Sequence, residues 1–302
     1  MIPARDLVPL SGAQNRQSGR RRWLFAFHEN RRRGADQGAA FGQPGKTRLQ
    51  HHGYRLDAEF GEVQKALWQH GVIFFRDQDL SPEQHIAFAE RWAAIDINRF
   101  FTAVEGYPKI AAVYTPSTAK AVIGGSWHTD HSYDAAPAAA SILVARKVPP
   151  FGGDTCFASM TAAARALSPG LRKMLEGMKA WHSDASFRGS TLEGIDDAEV
   201  SSTVLQPVIL KHPESGAAAL YVNGDFTTHF EGWSAEESAP LLGYLYRFAT
   251  QPAFQCRFSW EEGSVAIWDN RLVQHFAVAD YSGEERLMHR ITIEGSKLSS
   301  VK

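Results

Sequence analysis

Residues 265–294 read VAIWDNRLVQHFAVADYSGEERLMHRITIE. Two apolar runs, Val265–Trp268 and Leu287–Ile293, are short and rich in β-branched residues. Turn residues bound them, so they predict buried strands rather than helices. The second strand carries Arg286 and Arg290. Side chains on a strand repeat every two residues, so positions four apart leave one face, about 13 Å apart along the chain. On an ordinary edge strand such a face looks out to water. If it lines a barrel, each guanidinium requires an anion, because an unpaired buried cation is costly. Arginine meets carboxylates and sulfonates through forked hydrogen bonds.

Outward from this run, the chain from about residue 110 is a succession of short strands and turns. Ser141–Val144 precedes Pro149-Pro150 and Gly152-Gly153, and Leu220–Val222 is another strand. Phe254, Cys256, Phe258 and Trp260 alternate with polar residues, as a half-buried strand does. Helices flank these strands. Phe60, Val63 and Leu67 recur at helical spacing, with Gly71 as the stop before a buried strand at Val72–Phe75. Ser81-Pro82-Glu83-Gln84 is a helix start with Ser as N-cap and Gln at N3, and Phe88 and Trp92 give its apolar stripe. Ser168-Pro169 opens a helix running past Leu171, Met174 and Met178. Ser234 opens another with Leu241, Leu245 and Phe248, in which Pro240 predicts a kink or a late start. The fold class expected is α+β: an antiparallel sandwich or small barrel with helices outside it.

Bulk properties exclude several classes. The chain has 302 residues, 44% of them apolar, a normal share for a globular protein. No apolar run approaches the roughly 20 residues that cross a bilayer, and no secretory h-region is visible. Cys156 and Cys256 stand far apart, which argues against a disulfide scaffold or a zinc–thiolate site and fits a reducing cytoplasm. Residues 1–50 hold ten basic and three acidic residues, although the whole chain is at −1. That Arg-rich segment, taken as residues 1–56, is expected to be a solvated or disordered arm. A transit peptide is a minor alternative, and a nucleic-acid partner is not expected. Residues 57–302 are expected to form the single catalytic domain.

Trp127-His128-Thr129-Asp130 adds the chemistry. In a strand, His128 and Asp130 share a face and reach one metal together. A distant histidine then completes a two-His-one-carboxylate triad, a geometry that favours non-haem Fe(II). His-x-Asp alone is weak evidence. Gly152-Gly153-Asp154-Thr155 alone is a turn into a strand whose Thr offers a hydroxyl to a carboxylate.

Taken in order, WHTD, GGDT, WDNR-x3-H, and Arg at +11 and +15 from that His resemble the taurine dioxygenase / 2,4-dichlorophenoxyacetate dioxygenase (TauD/TfdA) family over roughly residues 57–296. The resemblance implies a double-stranded β-helix (jelly roll) with flanking helices and helical insertions. It implies that His128, Asp130 and His275 bind iron, and that Thr155 and Arg286 hold the distal carboxylate of 2-oxoglutarate. It also implies that Trp127 flanks the cosubstrate and that Arg290 meets the acidic group of the substrate. The family reaction couples O2 and 2-oxoglutarate consumption, with release of succinate and CO2, to hydroxylation of a small organic anion. Leu7–Ala13 looks like the family's opening, but then runs into Arg-rich text until about Asp57. A genuine segment and an altered gene start or reading frame both account for that.

In taurine-specific members a His, a Tyr and an Asn stand where this sequence has Asn98, Phe101 and Gly124. Taurine is therefore the secondary expectation. With Phe101 and Phe226, and with Phe100 near them, the pocket suits an aryloxyalkanoate or an alkyl sulfonate or sulfate. Two other classes stay open on the residues alone. One is a zinc hydrolase on the same triad, which has no need of Thr155, Arg286 and Arg290. The other is a non-catalytic jelly-roll binding protein. A homo-oligomer is compatible with all of these.

Overall fold

The computed structural model describes residues 23–25, 56–119, 122, 124–187 and 202–301. In chain order its strands and helices begin with β1 (Trp23–Phe25), α1 (Leu56–His70), β2 (Val72–Phe75), α2 (Pro82–Ala89), β3 (Ile95–Asp96), β4 (Ala103–Val104) and β5 (Tyr107–Thr115). Next come β6 (Ala140–Lys147), β7 (Thr155–Ser159), α3 (Met160–Ala166), α4 (Pro169–Leu175), β8 (Lys179–Ser183), β9 (Thr203–Pro207), β10 (Ile209–Lys211) and β11 (Ala218–Leu220). The last are β12 (Thr227–Phe230), α5 (Ala235–Ala249), β13 (Gln255–Phe258), β14 (Val265–Asp269), β15 (Val273–Ala277), β16 (Arg286–Ile293) and β17 (Ser299–Ser300).

One large sheet runs β1-β2-β14-β6-β16-β5-β4, with β3 also on β16; three smaller sheets run β13-β7-β15, β12-β8-β9 and β11-β10-β17. Every described pairing is antiparallel. The middle strands of the large sheet, β2, β14, β6 and β16, are mostly buried on both faces, and the period-two rule sorts their residues. Val72, Phe74, Leu143, Ala266, Trp268 and Met288 point into an inner core shared with Phe157 and Phe258 of the β13-β7-β15 sheet. There Phe74 stacks on Phe258 with ring centroids 4.0 Å apart. Ile73, Val144, Ile267 and Ile291 point the other way, onto Val63 and Leu67 of α1 and Phe88 of α2. On β16, Arg286, Met288 and Arg290 alternate with less buried neighbours, so both arginines share the inner face with Met288. Since β16 lies between β6 and β5, the exposed edge-strand alternative does not hold.

Local expectations hold where local chemistry decides. Ser81 and Gln84 form the capping box of α2, and Ser234 and Glu237 form that of α5. Gly71 takes a φ of +75°, and a Cβ there would come 2.7 Å from Val273 Cγ1; only glycine fits this turn between α1 and β2. Other expectations need correction. Helix α4 stops at Leu175, short of Met178, because Gly177 turns the backbone to φ +89°. Helix α5 starts at once at Ala235 and continues through Pro240. Pro240 lies on the exposed side near Glu236, where water can take the carbonyl that loses its partner. The strand expected at Leu220–Val222 is displaced to Ala218–Leu220. A strand, β1, occurs in the segment expected to be a solvated or disordered arm, where Trp23–Phe25 extends the sheet edge along β2. Otherwise the expectation for residues 1–56 lies almost wholly outside the described residues.

Candidate metal centre and anion cavity

His128 and Asp130 do not lie in a ladder strand, as the spacing suggested. His128 makes an isolated antiparallel bridge with His275 of β15. Each backbone N–H of the pair donates to the other's carbonyl, at 3.1 and 2.9 Å. That narrow pair sets the two imidazoles side by side, with centroids 4.3 Å apart. The chain then turns, with His131 at φ +56°, and Thr129 Oγ1 donates to the carbonyl of Val273. Asp130 Oδ1 comes to lie 3.6 Å from His128 Nε2 and 3.9 Å from His275 Nε2. One donor atom from each of these three buried residues falls within 4.8 Å of the others.

The donor chemistry fits a divalent ion. His128 Nδ1–H donates to the carbonyl of Ser126 at 2.8 Å, which fixes the tautomer and leaves the Nε2 lone pair facing the other donors. Burial, and then the neighbouring His128, hold the His275 imidazole well below its usual pKa. It is therefore neutral and free to donate its own lone pair. Burial alone would raise the Asp130 carboxyl, but the charge of Arg290 holds it well below the carboxylate range.

The outer oxygen of Asp130 is held from behind. Ser141 Oγ donates to Oδ2 at 2.8 Å. Asn270 Nδ2 donates to Ser141 Oγ at 3.0 Å, and Trp268 Nε1 donates to Asn270 Oδ1 at 2.8 Å. Sequence reasoning quoted Asn270 within its motif and missed Ser141 as a supporting group. The available signal was a serine opening an otherwise apolar strand, Ser141-Ile142-Leu143-Val144. Asp269 of the same motif does not face the donors. It is fully buried and forked by Arg271 at 2.9 and 2.6 Å, with His212 Nε2 at 2.9 Å.

Arg286 is buried, and its Nε and Nη2 have no hydrogen-bond partner. Among the described residues no carboxylate forms an ion pair with it. Burial lowers its pKa. Thr155 Oγ1 accepts from Trp260 Nε1 at 2.9 Å, which leaves the Thr155 proton free to donate. The Arg286 guanidinium lies 5.8 Å from the Trp260 ring centroid. Gly153, at φ +68°, closes over the Arg286 stem, where a Cβ would come 3.4 Å from its Cδ. This loop is clamped by Asp280, which accepts from Gly153 N–H at 2.7 Å. Arg257 bridges Asp280 and Asp154. Two unpartnered buried donors and a free hydroxyl, both set against Trp260, can together accept a carboxylate.

Arg290 meets the donors directly, its Nη2 2.9 Å from Asp130 Oδ2. It also lines a cleft with Asp96, Asn98, Phe101, Lys109 and Thr292. Phe101 has its ring 5.8 Å from the Arg290 guanidinium. Phe226 is buried, edge-on to His128 at 6.2 Å, in a cluster with Phe100 and Tyr133. The apolar surroundings expected from Phe101 and Phe226 are thus brought to the metal donors. Asn98 is occupied instead: it sits 3.2 Å from His131 Nε2, and its oxygen accepts from Phe100 N–H. Trp127 packs edge-on against Phe276 at 4.6 Å. Gly124, at φ +73°, accepts from Ala277 N–H at 2.8 Å. A Cβ there would come 3.1 Å from His128 Cε1.

Comparison with known proteins points one way. The description "Taurine catabolism dioxygenase TauD, TfdA family" matches residues 33–292, beginning upstream of the residue 57 expected. An alpha-ketoglutarate-dependent sulfate ester dioxygenase of Pseudomonas putida is 35% identical over 252 residues, covering 80% of this chain and 82% of that protein. An alkylsulfatase of Acinetobacter baylyi is 32% identical over 244 residues, covering 77% and 76%. The crystal structure of a putative alpha-ketoglutarate-dependent taurine dioxygenase from Burkholderia xenovorans superposes with a TM-score of 0.70 at 30% identity, covering 83% of this chain and 91% of that one.

Proposed function

The chain belongs to the taurine catabolism dioxygenase TauD, TfdA family, and from that premise we propose that it is an Fe(II)- and 2-oxoglutarate-dependent dioxygenase hydroxylating a small organic anion. The observation that carries this reading is the pairing of a His-Asp-His donor cluster with two buried guanidiniums on one strand face. A zinc hydrolase would use the same donors, but it has no need of the Arg286 socket.

His128, Asp130 and His275 would hold the iron. Iron bound there would couple oxidation of 2-oxoglutarate by O2 to insertion of one oxygen atom into a substrate C–H bond. The chain's own residues bind and orient. Arg286 and Thr155 would take the far carboxylate of 2-oxoglutarate, with Trp127 beside the cosubstrate. Arg290 would take the anionic head of the substrate, and Phe101 and Phe226 would cover its body and keep water from the reacting carbon. Ser141 and Asn270 keep the Asp130 carboxylate in place throughout.

The substrate class follows from the lining. Asn98 and the Asp96 carboxylate are both tied to His131, Phe101 is apolar, and Gly124 has no side chain, so little remains to hold an amine. An alkyl sulfate or aryloxyalkanoate suits the cavity better than taurine. Two relatives named for sulfate esters and alkyl sulfates favour the sulfate. The antiparallel sheets that flank the donors are taken as the two halves of a double-stranded β-helix, forming one catalytic domain over residues 57–302. Two free cysteines support a reducing cytoplasm as the site of action.

The test is succinate release with Fe(II) across hexyl sulfate, phenoxyacetate, phenoxypropionate, an alkyl sulfonate and taurine. Expected is turnover of the apolar anions above taurine, lost in His128→Ala. No succinate with any acid would overturn the reaction class, and taurine as best substrate would overturn the class of anion.

A further inference from the structure

Arg290 touches two sites at once. Its Nη2 lies 2.9 Å from the outer oxygen of Asp130, and its side chain lines the cleft beside Phe101 and Asn98. The contact with Asp130 is one of charge only, since neither Nη2 nor Nε of Arg290 makes a directed hydrogen bond, although both are buried. The same oxygen is held independently by Ser141, itself backed by Asn270 and Trp268. Removing Arg290 from Asp130 therefore changes the charge at the carboxylate and not its orientation. The other acid near Arg290 is Asp96, and it is paired with His131 Nδ1 at 2.9 Å.

Resting on the function proposed above, we infer that Arg290 is a shared cation for which the metal-ligand carboxylate and the substrate anion compete, so that substrate and metal tighten each other. The sign follows from electrostatics. A guanidinium beside Asp130 weakens that carboxylate as a donor to a dication, because like charges repel in a buried site. An anion in the cleft neutralises Arg290 or draws it away, and restores Asp130 to the metal. In reverse, a dication at the donors takes over the Asp130 charge and releases Arg290 to the anion. Linkage makes the two effects equal. The protein thus holds its metal most tightly when there is an anion to oxidise.

The test uses the full chain without O2 or 2-oxoglutarate, at pH 7.5. Mn(II) affinity is followed by the loss of the free-ion EPR signal. In the wild type, saturating hexyl sulfate should lower the Mn(II) Kd about fivefold or more, the lower end of typical coupling, and Mn(II) should tighten hexyl sulfate by the same factor. Arg290→Met should bind Mn(II) more tightly than wild type with no anion present, and should not respond to hexyl sulfate. Arg290→Gln, which keeps polar donors but no charge, should do the same, whereas Arg290→Lys should retain part of the response. A residue with a merely structural role would weaken Mn(II) binding when replaced. Mn(II) binding that ignores hexyl sulfate in the wild type overturns the inference alone, as does equal or weaker Mn(II) binding in both uncharged variants. Failure of the wild type to bind Mn(II), or binding that survives His128→Ala, overturns the site assignment as well.

Discussion

Replacing Arg286 with Met separates folding from binding. Arg286 is 4% exposed, and its Nε and Nη2 lack partners. In the ligand-free protein it therefore contributes desolvation cost with no ion pair in return. Each buried donor left unmade costs about 1–3 kcal/mol. Met occupies nearly the same length with no charge, so it avoids the hole that Ala would leave. The melting temperature of the ligand-free variant should not fall, and each kcal/mol regained should raise it by about 2–4 °C in a domain of this size. Cosubstrate binding should move the other way. Loss of a charged partner for a desolvated carboxylate costs about 2–5 kcal/mol, or roughly 30-fold to several thousand-fold in Kd. The assay is calorimetric melting of the metal-free protein, paired with anaerobic 2-oxoglutarate titration of the Mn(II)-loaded protein. A lower melting temperature with unchanged 2-oxoglutarate affinity would refute the reasoning, because it would make Arg286 a structural cation rather than a waiting one.

Gly124→Ala places a methyl 3.1 Å from His128 Cε1 at a φ of +73°, and should weaken Mn(II) binding about tenfold while the protein stays folded; an unchanged Mn(II) Kd would show that the loop yields instead. Arg271→Ala strips the fully buried Asp269 of its forked partner, at a cost of about 3–5 kcal/mol. The melting temperature should fall by roughly 6–20 °C, and a fall under 2 °C would contradict the role given to the pair. His85 and His182 are buried and neutral, each with its pKa lowered to about 3, chiefly by burial. Their folded pKa values lie below the unfolded value near 6.5, so the stability they permit is complete above pH 6.5 and is lost as pH falls toward 3. His85→Leu should flatten the loss of melting temperature between pH 6.5 and pH 3, and a curve parallel to wild type would exclude His85 as a contributor.

What could be read from the chain beforehand was what short stretches decide by themselves. Phe60, Val63, Leu67 and Gly71 specify a helix and its stop because spacing and a left-handed glycine are local properties. Ser81 with Gln84, and Ser234 with Glu237, announce their caps for the same reason. His128, Asp130 and His275 could be picked out together because WHTD, GGDT, WDNR-x3-H and the two later arginines, in that order, resemble the TauD/TfdA family, whereas His-x-Asp alone is weak evidence. What holds the donors together was not legible. The bridge between His128 and His275 joins residues far apart in the chain, and no pattern around Trp127–Asp130 announces that it is a single bridge followed by a turn. The same applies to Ser141 behind Asp130, to Arg290 against Asp130, and to Asn98 tied to His131. Each is a tertiary contact whose partner is chosen by the fold. Strand β1 could not be read because three residues are too few to show a period.

The reciprocal hydrogen bonds between His128 and His275 bear on how metal is loaded. Small zinc domains assemble their ligands only when the ion arrives, so a chelator unfolds them. Here the backbone clasp, the serine behind the carboxylate and the packed core supply the shape by themselves. Under the proposed assignment of the donors, ion exchange is expected to leave folding untouched. A chelator should strip the centre and leave a soluble shell with its sheets intact, ready to be refilled, so that the supply of metal sets how much of the protein is active without setting how much of it survives.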